Sequence, residues 1–146
     1  MNAKVLHSRG ERGSAAIEAA IGVPAFVLFV GLIIFAGRTS VAHQAVESAA
    51  ADAARSASIA RTSQAAQHEA TVAAQTSLAN QHVQCLSIKV TVDTAGFHIT
   101  VGQPATVAVT VECRLDLSDL SVPAVPGSKI IGASMSSPLD TWRERS

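Results

Sequence analysis

Hydrophobic and polar positions divide the chain into three stretches with different periods. From Ala19 to Gly37 there is no charged residue. Val23, Phe26, Val27, Leu28, Phe29, Val30, Leu32, Ile33, Ile34 and Phe35 make this stretch apolar on every side. Roughly 20 such residues span a bilayer as an α-helix, so 14–37 reads as a transmembrane helix. From 38 to 80 there is neither proline nor glycine, and Ala, Gln, Glu and Arg favour helix. Ala42, Val46, Ala49, Ala53, Ala57 and Ala60 recur at three- and four-residue steps, which puts them on one helical face. If the two helices join, they reach from about Ser14 to Leu78, roughly 95 Å at 1.5 Å per residue. Gly37 and the Thr39-Ser40 pair are the candidate breaks.

After Asn80 the period changes to two. Leu86, Ile88, Val90 and Val92 alternate with Ser87, Lys89 and Thr91. Val107, Val109, Val111, Cys113, Leu115 and Leu117 alternate with polar partners in the same way. These read as strands with one buried face. Phe97-His98-Ile99-Thr100-Val101, between two glycines, reads as a shorter strand, and Lys129–Met135 as a further one broken at Gly132. Ser118–Ser128, with Pro123 and Pro126, reads as a loop. The fold expected is α+β: a long N-terminal helix, transmembrane then amphipathic, followed by a small antiparallel sheet. In domain terms that is a basic leader over 1–13, the span over 14–37, an alanine-rich stalk over 38–80 and a β-rich domain over 81–146.

Composition excludes several classes. With 11 basic and 11 acidic residues the net charge is zero, so nothing marks a nucleic-acid binder. His7, His43, His68, His82 and His98 form no metal-binding spacing; His82 stands three residues before Cys85 without a second pair to complete a zinc site. No nucleophile elbow, phosphate loop or dinucleotide motif occurs. Neither catalytic residues, nor a cofactor, nor a small-molecule substrate is therefore expected. Cys85 and Cys113 are the only cysteines, and an even pair beyond a membrane segment suits one disulfide in an oxidising compartment; two free buried thiols are the alternative. The parity of Cys85 is opposite to that of Leu86, Ile88 and Val90. A bridge therefore requires Cys85 to precede the regular strand or sit on a bulge.

The mouth of the span carries the chemistry. Lys4, Arg9 and Arg12 precede it against Glu11 alone, which places the N-terminus in the cytoplasm and the remainder outside. Glu18 lies just inside the apolar stretch, where an ionisable group costs on the order of 3 kcal/mol and ordinarily has a partner. Pro24 removes one backbone bond and should bend or loosen the helix. An ordinary signal peptide ending at Ser40-Val41-Ala42 is one competing reading, but the apolar run is longer than such segments usually carry. A plain anchor, with Glu18 reaching the cytoplasmic headgroups, is another. It would hold an outer domain that binds a ligand or partner.

Ser14-Ala15-Ala16-Ile17-Glu18-Ala19-Ala20-Ile21-Gly22-Val23-Pro24, after a short basic leader ending in Gly13, resembles the class III signal of type IV pilins and pseudopilins. It is most similar to TadE-like proteins of tight-adherence pilus systems. The similarity is firm over about residues 9–38; at the tail only Pro126-Gly127-Ser128 and Asp140-Thr141-Trp142-Arg143 look alike. Ser14 stands where major pilins carry an aromatic residue, and Ala19-Ala20 where they carry bulkier ones, which favours a minor pseudopilin. The resemblance implies cleavage between Gly13 and Ser14 by a membrane prepilin peptidase. It also implies partners among pilin subunits and the assembly machinery, and a place in the cytoplasmic membrane or the surface pilus. Cleavage would free an amine on Ser14. That amine could pair with Glu18 of a neighbouring subunit, or with Glu18 of its own chain one turn away.

Overall fold

A computed structural model of the chain describes residues 11–120, 126–142 and 144, with the backbone alone for 11–14. Lys4, Arg9, Pro123 and Arg143 lie outside the described residues. The element order is α1 (Glu11–Ile59), α2 (Ser63–Asn80), β1 (Cys85–Asp93), a short 3-10 turn (Ala95–His98), β2 (Thr106–Asp116), a second 3-10 turn (Ser118–Leu120) and β3 (Ser128–Pro138). This is the expected α+β arrangement, with the sheet an antiparallel meander in the order β1-β2-β3.

α1 runs unbroken through Pro24, Gly37 and Thr39-Ser40. The Thr39 hydroxyl donates to the Phe35 carbonyl 2.9 Å away, so the polar group is satisfied inside the helix. The interruption comes instead at Ala60-Arg61-Thr62, where no proline or glycine marks it. Thr62 is extended, and its hydroxyl accepts from the Ala65 amide at 3.0 Å, the N-cap that starts α2. α2 then doubles back along α1: the Ser77 hydroxyl donates to Asp52 at 2.8 Å. The single 95 Å spine is thus replaced by a helical hairpin.

The hairpin lies on one face of the sheet, α1 over β2 and β3 and α2 beside β1. Ala42, Ala45, Val46, Ala49, Ala50, Ala53, Ala54 and Ala57 of α1 are buried, as are Ala66, Ala70, Ala74 and Leu78 of α2. Alanine on both sides lets the backbones approach closely. The bulk of the core comes from the sheet, through Val107, Val109, Val111, Cys113, Leu115 and Leu117 of β2 and its continuation and Ile131 of β3. The alanine stripe is thus half of a head-domain core, with a second helix and a sheet laid against it.

Other expectations need correction. Phe97–Val101 is not a strand: Ala95–His98 makes a 3-10 turn that tucks Phe97 into the core at 2% exposure. A β-carbon on Gly96 would collide with the Thr106 carbonyl oxygen, so this crossing requires glycine. Gly96→Ala should destabilise the head by about 2 kcal/mol, as overpacking against fixed backbone does, readable as a lowered urea midpoint with an unchanged slope. β3 is continuous through Gly132, which pairs with Glu112 across the sheet. Leu86 leaves the buried face: the register slips between Cys85 and Ser87, and Leu86 is exposed. Trp142 is 84% exposed.

The slip at Leu86 reverses the parity of what precedes it. Cys85 pairs with Leu115, and Ile88 with Cys113, so both cysteines face the helices. They form a disulfide with Cα atoms 5.5 Å apart, bridging a sequence separation of 28.

Candidate functional site

The head begins where the apolar stretch ends. Phe35 packs against the core and Thr39 is buried, whereas Ile17, Ile21, Val23, Phe26, Val27, Phe29 and Ile33 are all more than half exposed. Such a surface is unsustainable in water and natural in lipid. One helix among the described residues is long and apolar enough to cross a membrane, and it is this one. Where it meets the head, Arg38 Nη1 donates to both oxygens of Asp119, at 2.9 and 2.7 Å. That pair fastens the C-terminal end of the apolar stretch to the turn after β2.

At the other end lie Gly13, Ser14 and Glu18. The structure places all three on α1, with Gly13 and Ser14 in its first turn. Glu18 is exposed and makes no ion pair or hydrogen bond among the described residues. One turn to either side of it are Ala15, Ile21 and Gly22, also exposed, so no side chain covers the carboxylate. The Gly13–Ser14 peptide is helical here, and a peptidase needs it extended. First turns fray readily, and glycine lowers helix propensity by about 1 kcal/mol relative to alanine, so unwinding 11–14 costs little.

Ser40-Val41-Ala42 fits a signal-peptidase site poorly. Ala42 is 2% exposed, and Phe35 and Thr39 upstream of it already belong to the core. A cut there would remove part of the head. Among the described residues no group of three or more His, Cys, Asp or Glu is placed to hold a metal ion.

An exposed apolar helix, long enough to cross a membrane, leads without a break into a small α+β head, and this is a pilin-like layout. The family model of TadE-like protein matches residues 13–55, all of them within α1. The match agrees with the resemblance read from the Gly13–Pro24 segment. No curated protein and no solved structure matches the chain.

Proposed function

We propose that this chain is a TadE-like minor pilin or pseudopilin, a structural subunit in the assembly of a tight-adherence pilus. Prepilin peptidase cuts it after Gly13. α1 holds it in the cytoplasmic membrane with its N-terminus inside and the head outside. The observation that carries this reading is the exposed, uncovered apolar face of α1 with Glu18 at its mouth, in the segment matched to TadE-like proteins.

The chemistry follows from what cleavage creates. Removing the leader gives Ser14 a free amine one helical turn from Glu18. Before assembly, amine and carboxylate can pair within one chain. Among packed subunits, the amine of one can meet the carboxylate of the next. In lipid an unpaired carboxylate resists burial, so the axial stagger that pairs the two is favoured over others. Ala15 with Ala19, and Ala16 with Ala20, leave room for helices to approach.

The mature N-terminal residue tests the reading. Edman degradation of membrane-extracted protein should begin at Ser14. A chain starting at the intact Met1 would select the plain anchor with an outer binding domain, and one starting at His43 a secreted domain. Gly13→Leu should leave the uncut precursor on a gel, because a branched side chain cannot enter a site shaped for an extended glycine. Normal processing of that variant would remove the peptidase step from the proposal.

A further inference from the structure

The base of the head contains a cavity that neither the span nor the Gly13–Glu18 segment uses. Its volume is about 640 Å³, and its walls include Arg38, Val41, His82, Val83, Asp116 and Asp119. Arg38 directly follows the apolar stretch that ends at Gly37, about 1.5 Å further along the helix. Polar headgroups occupy about 5–8 Å on each side of the hydrocarbon, so the cavity opens at headgroup depth.

Its polar groups are incompletely used. Both bonds from Arg38 to Asp119 leave from Nη1. Among the described residues Nε and Nη2 make none, and they form a fork suited to a phosphate. Asp116 Oδ1 accepts from both the Ser118 amide, at 3.0 Å, and the Ser118 hydroxyl, at 2.7 Å. These bonds, the amide first and the hydroxyl second, hold the Asp116 carboxyl below its ordinary range. It is therefore an anion at neutral pH, and Oδ2 has no partner among the described residues. His82, on the wall, is held at φ 55°, the left-handed region that a residue with a β-carbon enters at a cost. Val41 and Val83 supply an apolar side.

The cavity thus offers a donor fork and an acceptor carboxylate, and its two acids outnumber its one permanent cation. A purely anionic headgroup would be repelled. A zwitterion with phosphate beside a primary ammonium matches both walls. We propose that this cavity binds the headgroup of a phosphatidylethanolamine-type lipid, phosphate on Arg38 and ammonium on Asp116. A choline headgroup carries the same charges but has no N–H to give Asp116. The inference rests on α1 spanning a bilayer and is independent of the pilus assignment.

The test uses the full chain in vesicles of equal parts phosphatidylethanolamine, phosphatidylcholine and phosphatidylglycerol, extracted gently and weighed by native mass spectrometry. Phosphatidylethanolamine adducts should exceed phosphatidylcholine adducts roughly tenfold, the effect of one charge-assisted hydrogen bond. Asp116→Asn should erase that excess. Val41→Trp, which fills the mouth and leaves every charge in place, should do the same. Equal adducts, a phosphatidylglycerol excess, or an excess that survives both variants would overturn the proposal. So would soluble phosphoethanolamine that binds the lipid-free protein as tightly as the lipid does, since the ligand would then be a free zwitterion. Protein washed from the vesicles by alkaline carbonate would overturn the span reading and this inference together, whereas retained protein without lipid preference overturns the inference alone.

Discussion

Replacing both Cys85 and Cys113 with alanine should lower the unfolding free energy of the head by about 3–4 kcal/mol, the chain-entropy value for a bridge of this span. Small domains hold roughly 5–15 kcal/mol in total, so the loss is a large fraction of it. The effect should be severe here because so much of the helical side of the core is alanine, which buries little area per residue. The bridge also ties the start of β1, next to the α2–β1 turn, to the central strand β2, just beyond the bulge at Leu86. Urea unfolding of the detergent-solubilised chain measures the change. Reduction of the native protein should reproduce most of it, separating the cross-link from the packing of the buried Cys113 side chain. A double variant within about 1 kcal/mol of the native protein would show that the bridge stabilises little, contrary to the chain-entropy argument.

Glu18→Ala should leave cleavage after Gly13 intact and cut incorporation into the pilus machinery roughly tenfold or more, the loss expected when a charge-assisted hydrogen bond disappears. Glu18→Gln, which keeps the shape and one acceptor but not the charge, should fail in the same direction. The readout is the ratio of sheared surface protein to membrane-bound mature protein. Normal assembly by both variants would remove the ion pair from the proposal and leave the span as a passive anchor.

The two kinds of periodicity were legible because each reflects a buried face. The stripe Ala42–Ala57 and the alternation over Val107–Leu117 are both buried where the pattern puts them. The helix break was harder to see because it involves neither proline nor glycine. Its signal was the capping side chain of Thr62, followed by a second four-residue alanine stripe at Ala66, Ala70 and Ala74. The parity conflict at Cys85 carried real information: a bulge resolves it, and Leu86 gives up its buried position as a result. Phe97–Val101 misled because a single buried aromatic beside a crossing glycine resembles a short strand in sequence. For the candidate site, Gly13, Ser14 and Glu18 are readable as a linear motif, since they lie on one helix. The cavity at the base of the head was not, because Arg38, His82 and Asp116 meet only after the helical hairpin and the sheet have closed.

α1 carries both the apolar stretch and a core element of the head, one rod of 49 residues, about 74 Å long at 1.5 Å per residue. A pull on its N-terminal end therefore meets no hinge before it reaches the head. There it must slide the whole alanine face past α2, β2 and β3 at once, a shearing geometry in which many weak contacts resist together. The Cys85–Cys113 link joins β1 to β2 and does not itself cross that sliding surface.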